Sequence, residues 1–312
     1  MNSNLVKFND KYLVHPFGLL NNSIICYFNS LIQLLMSCTS INEYLIHNEN
    51  KFTNSNFMKI YISMVKKYIN EDNITNNSTE TNNLLLFNEF LQLIKNKNIT
   101  FGYNQEDAGE LLIILLDVLD DKYIYNLFYN KYKCDIYCKK CKKSKEIADD
   151  IAIQFELDVD NIPKFTLQSK IDKDLHSMNK YIKNNYSDLE DLECEYCKEK
   201  KMIKLNRLLL VPTIILVLFK KFSEKQSYNY PLEIYFINKT ENKKHNFKLV
   251  SSIHHNGNMS SGHYYTKSLR NYKKQVTSYL LNDIHYEQSN LQPEDNSYIL
   301  AYHYVESVEY YS

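Results

Sequence analysis

The chain has no tryptophan, and its 312 residues include only 5 Gly and 5 Pro. So little glycine and proline excludes collagen-like and linker-rich classes. Neither sign of charge is in excess, since 37 Lys and Arg face 37 Asp and Glu. A general polyanion binder would rest on a basic surplus, so no nucleic-acid partner is expected. The longest apolar run, residues 208–219, is interrupted by Pro212 and Thr213 and is too short to cross a bilayer. Residues 1–11 are polar and lack the apolar stretch of a secretory signal. These absences predict a soluble intracellular chain, cytoplasmic or nuclear, with no membrane partner. What remains, 44% hydrophobic and 24% charged residues, is an ordinary globular composition long enough to bury a core. Asn, Ile, Lys and Tyr have AT-rich codons, so Asn-rich stretches such as 73–83 read as surface loops.

The first 120 or so residues read as helical. Apolar side chains recur near a 3.6 period in Cys26–Met36, Phe57–Ile69 and Leu84–Ile94. Asn104–Leu119 is the clearest helix, with Asn104 placed to cap it and Asp107 three residues on. From about Tyr125 the period changes to two. Ile151–Val159 alternates, Met202–Leu210 and Ile214–Phe219 read as longer strands, and Phe247–Ile253, His263–Lys267, Tyr279–Asn282 and Tyr298–Tyr304 as short ones. Helices first and strands later predict an α+β fold, not alternating βαβ units. The polar segment Lys170–Ser187 reads as an insertion or long loop, and Lys267–Lys274 as a short basic surface turn.

Seven cysteines are unevenly placed. Cys138 and Cys141 form one CxxC unit, Cys194 and Cys197 another, with 52 residues between them. Each unit bends the backbone so that two thiolates face one ion, and two units complete a tetrahedral S4 site. In a reducing compartment such pairs point to zinc before disulfides. Four Cys leave no open position, so the Zn2+ would be structural. Cys134 could compete as a ligand, and Cys138 is preferred.

Cys26 lies in the first turn of a predicted helix, where unpaired N–H groups and the helix dipole favour a thiolate. Asn21, five residues upstream, could offer its amide to an oxyanion. A base is required, and His263 stands at a predicted strand start after Gly262, a residue that permits close approach of a substrate backbone. Nineteen residues further come Asn282 and Asp283, where an amide or carboxylate could hold the imidazole.

These stretches together resemble the ubiquitin-specific proteases. Gly18–Gln33 is similar to the family's Cys box, Asn104–Leu112 to its acidic helix start, and the two CxxC units to its zinc fingers. Leu209–Phe222 is similar to the strand leading into its palm, His255–Tyr264 with Asn282-Asp283 to its His box, and Ser297–Tyr302 to its C-terminal strand. Six motifs in the family's order cover roughly 16–304, which looks like a minimal catalytic domain. The resemblance implies a papain-like fold: a helical thumb to about residue 124, fingers to about 210 and a palm to the end. It implies hydrolysis after the C-terminal Gly-Gly of ubiquitin by a monomer whose partner is ubiquitin or a ubiquitinated protein. Cys26 would attack, His263 carry the proton and Asn282 orient His263, with Asp283 assisting. Asn21 and the Cys26 N–H would bind the oxyanion. Asp107 and Glu110 would pair with arginines of the ubiquitin tail, beside their ordinary use as first-turn acids. Tyr264, with Tyr265, would wall the channel beside Gly262. The sequence departs from the family at Ser23, Ile24 and Ile25 before the nucleophile, and at Ser261 and Ser278. The departures before Cys26 keep open a ubiquitin-binding scaffold without catalysis, and specificity set by finger and palm surfaces keeps open a protease for a ubiquitin-like modifier. A zinc-ribbon nucleic-acid binder is opposed by the charge balance.

Overall fold

The computed structural model describes residues 5–22, 24–70, 79–102, 104–147, 150–158, 186–189, 191–220, 230–238, 241–258 and 261–310. Ser23, Val159 and nearly all of the polar segment 170–187 lie outside them. The N-terminal part contains a short strand β1 (Gly18–Leu19), the helices α1 (Cys26–Leu35), α2 (Thr39–His47) and α3 (Asn56–Ile69), strand β2 (Thr79–Glu80), and helices α4 (Asn82–Asn96), α5 (Ala108–Leu119) and α6 (Lys122–Phe128). The strands β3 (Asn130–Cys138), β4 (Ser144–Glu146), β5 (Asp150–Ala152), β6 (Gln154–Asp158), β7 (Tyr186–Leu189), β8 (Met202–Leu210) and β9 (Ile214–Lys220) follow. The chain closes with β10 (Glu233–Asn238), β11 (Lys243–Asn258), β12 (Ser261–Tyr272), β13 (Gln275–Asn282), β14 (His285–Gln288) and β15 (Ser297–Glu309).

Among the described residues these strands form two main sheets. The larger runs β14-β13-β12-β11-β15-β9-β6, with β10 also paired to β11; the smaller runs β4-β3-β8-β7, with β5 also on β3. Pairing is antiparallel in the larger sheet except between β6 and β9. The expected segregation into α and then β is the observed one.

The unbroken apolar run of β9 has a physical reason. Ile214, Leu216 and Leu218 face the helices, whereas Ile215, Val217 and Phe219 face a second core built with Ile234, Phe236 and Phe247. A strand buried on both faces shows no alternation. The alternating run 151–159 is divided instead. Ile151 pairs with Lys131 in the small sheet and Phe155 with Val217 in the large one, the break falling at Ile153. One period-two pattern thus feeds two sheets.

Helix α1 is buried over all ten residues and lies against β12. Two hydrogen bonds tie it to its neighbours. Gln33 Nε2 donates to Phe17 O at 2.9 Å, and Thr266 Oγ1 of β12 donates to Ser30 O at 2.9 Å. The predicted basic turn 267–274 is mostly strand. Lys267 is buried and pairs with Glu294, and only Lys273 and Lys274 lie in the exposed turn. Arg270 is fully buried and donates to Gln33 O, Gln33 Oε1 and Ser37 Oγ at the C-terminal end of α1. A cation there complements the negative end of the helix dipole. Burial pushes this guanidinium down to about 9.

Candidate active site and metal centre

Three elements converge on Cys26. Helix α1 begins at Cys26, and the residue before it, Ile25, has no polar side chain to cap the helix. Asn21 supplies that acceptor from upstream, its Oδ1 taking the Ile25 N–H at 3.4 Å. The loop carrying Asn21 is pinned by Leu19 N–H donating to Asp283 O at 2.7 Å. Gly18 is required for this approach, because a Cβ there would lie 2.3 Å from Ile284 O. Ile25 is buried in the same core as Cys26, and Ile24 is 37% exposed.

His263 comes from β12 and Asn282 from the end of the neighbouring β13. The His263 Nε2–H donates to Asn282 Oδ1 at 2.6 Å, whereas Asp283 Oδ2 stands 3.9 Å away. With Nε2 so used, Nδ1 is the ring nitrogen left for the thiol. The hydrogen bond with Cys26 is the largest influence on His263 and raises it to about 9; burial opposes this, and Asn282, the Cys26 charge and Asp283 add to it. A protonated imidazole held beside Cys26 can supply the proton that acyl transfer requires.

The sign of this shift gives a prediction. His263 holds its proton more tightly folded than at its ordinary 6.5. Its contribution to stability is therefore complete below pH 6.5 and is lost as pH rises through about 9. The alkaline limb of kcat/KM should fall in the same window, and a pH–rate profile measures it.

Besides its approach to His263, Asp283 binds two amides. Its Oδ2 accepts from Asn21 Nδ2 at 2.9 Å and its Oδ1 from Asn29 Nδ2 at 2.9 Å. The carboxylate thus fixes which end of the Asn21 amide faces which neighbour.

Asn104 does not cap α5. The helix starts later, at Ala108, and Asp107 is its cap, with Oδ1 accepting from Gly109 N at 2.8 Å and Glu110 N at 2.9 Å. Asp107 Oδ2 takes Tyr264 OH at 3.5 Å and a shorter bond from Tyr298 OH. Four donors thus occupy the carboxylate, while Glu110 is exposed one turn on. Tyr264 and Tyr265 separate: Tyr264 is buried toward Asp107, and Tyr265 stacks on His254 with centroids 4.9 Å apart.

Gln105 is a site residue that the motif contained without revealing its use. Its Oε1 accepts from Gly262 N at 3.1 Å, its Nε2 donates to Gly262 O, and that same nitrogen lies 3.9 Å from Cys26 Sγ. A side-chain amide here makes the paired bonds of a β-partner and bridges the start of α5 to β12. Gly262 has no spare room of its own, since a Cβ would lie 2.2 Å from His255 Nε2.

The four cysteines come together at the far end of the small sheet. Cys138, Cys141, Cys194 and Cys197 have sulfurs all within 4.8 Å of one another, and Cys138–Cys197 and Cys141–Cys194 are each 3.6 Å apart. A tetrahedral site with Zn–S near ~2.3 Å has S–S edges of about 3.8 Å, so the donor set fits. The two knuckles repeat one backbone pattern. Lys142 N donates to Cys138 O at 3.0 Å and Lys198 N to Cys194 O at 2.9 Å, and both lysines are left-handed, with φ of 63° and 59°. Backbone N–H groups of Cys141 hold the Cys138 thiol down, and those of Cys197 hold Cys194 down to about 7. Cys134 is excluded from the cluster: it is buried in the second core with Val211 and Ile215.

A family model described as ubiquitin carboxyl-terminal hydrolase matches residues 17–302. The chain belongs to that family. Solved structures give the same fold. Ubp8 in the SAGA DUB module with Sgf11, Sus1 and Sgf73, bound to monoubiquitin, superposes with a TM-score of 0.70 at 16% identity, covering 97% of this chain and 72% of that one. The same module bound to ubiquitin aldehyde gives 0.70 at 17% identity over 96% and 71%. A yeast SAGA DUB module carrying an Sgf73 mutant gives 0.64 at 16% over 97% and 71%. A comparison with curated proteins finds no match. The fold is the mixed α+β architecture of this hydrolase family, with its four-cysteine cluster at the end of the small sheet. No helix among the described residues is long and apolar enough to cross a membrane.

Proposed function

We propose that this ubiquitin carboxyl-terminal hydrolase family member is an active thiol protease that cleaves the (iso)peptide bond after ubiquitin's C-terminal Gly-Gly. The observation that carries this is the Cys26–His263–Asn282 line, with Asn282 bonded to His263 at 2.6 Å and His263 raised by Cys26. Cys26 sulfur attacks the carbonyl carbon; the oxyanion is met by the Cys26 N–H and Asn21. His263 gives its proton to the departing amine, and the thioester remains on Cys26. His263 then takes a proton from water, whose oxygen attacks the thioester and releases the ubiquitin carboxylate and the thiol. Asn282 holds the ring throughout. Helices before residue 124 and the large sheet after 211 supply the two walls of this cleft, as thumb and palm. The fingers between them would carry Zn2+ on Cys138, Cys141, Cys194 and Cys197, where it holds two loops together.

The His263–Asn282 bond and the influence of Cys26 on His263 speak against the inactive scaffold. Among the tail-binding acids, Glu110 is the better placed for an arginine, since the Asp107 oxygens are already engaged. Asp107→Ala should destabilise the fold by about 1 kcal/mol through the lost cap. Glu110→Ala should instead raise KM for a ubiquitin substrate with the melting temperature unchanged; thermal melts beside steady-state kinetics separate the two. The function itself is tested by hydrolysis of fluorogenic C-terminal amides of ubiquitin and of ubiquitin-like modifiers. Release from ubiquitin supports the reading, release only from another modifier changes the substrate, and release from none removes the activity.

A further inference from the structure

Asn83 lies on α4, 54 positions in sequence from Asn29 and 62 from Asn21, and is fully buried. Its Nδ2 donates to Leu20 O at 2.7 Å and to Asn29 Oδ1 at 2.9 Å. Its own Oδ1 is buried with no hydrogen-bond partner. That unmet acceptor counts against stability, whereas the Nδ2 group of the same amide serves two acceptors, Leu20 O and Asn29 Oδ1, that a leucine could not reach.

What they serve can be followed bond by bond. Because Asn29 Oδ1 accepts from Asn83, Asn29 must turn its Nδ2 the other way, where it meets Asp283 Oδ1 at 2.9 Å and Leu20 O at 3.3 Å. A flipped Asn29 would set its oxygen against the Asp283 carboxylate. Asp283 in turn receives Asn21 Nδ2 on its other oxygen at 2.9 Å, while Asn21 Oδ1 faces the Ile25 N–H. Asn83 also grips the carbonyl of Leu20, the residue before Asn21.

We propose that Asn83 is a positioning residue for the oxyanion-binding amide of Asn21, acting through Asn29 and Asp283 and through the Leu20 carbonyl; this rests on the hydrolase reading above. A carbonyl oxygen gains its negative charge only in the acyl-transfer transition state, so a misaimed Asn21 lowers kcat and leaves ground-state binding alone. Alkylation of Cys26 by iodoacetamide builds no oxyanion and needs no such donor. The relay therefore separates two reactivities of one sulfur.

The test uses Asn83→Leu, with Asn83→Ala as a second variant should the leucine not fit. Turnover of a ubiquitin C-terminal amide, iodoacetamide alkylation of Cys26 and thermal melting are measured on each. The expected result is a fall in kcat of about tenfold with unchanged KM and an unchanged alkylation rate, even where the melting temperature drops because Leu20 O and Asn29 Oδ1 have lost their donor. In an Asn21→Ala background the same substitution should add no further loss. Unchanged kcat, or a loss that persists in full without Asn21, overturns the proposal. So does a joint fall of turnover, alkylation and melting temperature, which marks a merely structural residue. A wild-type chain with no turnover removes the hydrolase reading itself, and this proposal with it.

Discussion

Cys26→Ala should abolish turnover of ubiquitin substrates while the chain stays folded. The sulfur is the only heavy atom lost, and Cys26 is 4% exposed within the helical core, where the alanine methyl still packs. Loss of the nucleophile in a triad that acts as a unit costs on the order of 10⁵–10⁶ in kcat. The substitution also removes the group that chiefly raises His263, so His263 should return from about 9 toward its ordinary 6.5. The variant then lacks stabilisation that the wild type has below pH 6.5 and loses through about 9. Melting curves should accordingly diverge at neutral pH and converge at alkaline pH. Ubiquitin binding should survive, because Glu110 and the cleft walls are untouched. Residual hydrolysis above background would reject Cys26 as nucleophile.

The second large effect concerns the metal. Around the four cysteines the buried apolar set is small: Met202 is buried with Cys138 and Cys194, and Ile136 and Leu189 are only partly so. Such a cluster cannot hold two loops by hydrophobic burial alone. Nearby ion pairs, Lys140–Glu199 and Lys145–Glu195, are solvent-exposed and contribute little. Zinc bound to a structural site contributes roughly 10 kcal/mol or more to folding. Cys194→Ser, or chelation of the wild type, should take zinc from one per chain to none. The strands β3 and β8 near Cys138 and Met202 should then exchange their amide protons rapidly, while α1 and β12 keep their protection. Metal analysis with hydrogen exchange reads both. Full zinc occupancy in Cys194→Ser would overturn the four-cysteine assignment.

The parts of the fold that could be read ahead were those where local pattern and final environment agree. Met202–Leu210 is a strand with those same bounds, and Phe57–Ile69 is α3 but for one residue. The two CxxC units announce their partnership because thiols at that spacing have few other uses in a reducing cell. Errors arose where tertiary context decides. Asn104 and Asp107 are both good caps, and Asp107 caps because Tyr264 and Tyr298 meet its other oxygen. Lys267 and Arg270 resembled surface charge until the strand carrying them was packed on α1 and against Glu294. Gln105 and Asn83 were invisible as functional residues. Each acts through a partner more than 50 positions away, and an amide's orientation leaves no trace in spacing.

In the proposed function, Cys26 and His263 form a working nucleophile facing the C-terminus of ubiquitin. The most direct measurement is reaction with a ubiquitin carrying a C-terminal electrophile, followed by mass mapping of the modified residue. One adduct per chain is expected, on Cys26 and absent in Cys26→Ala. Modification at another cysteine, or no adduct from a chain that still binds ubiquitin, would contradict it.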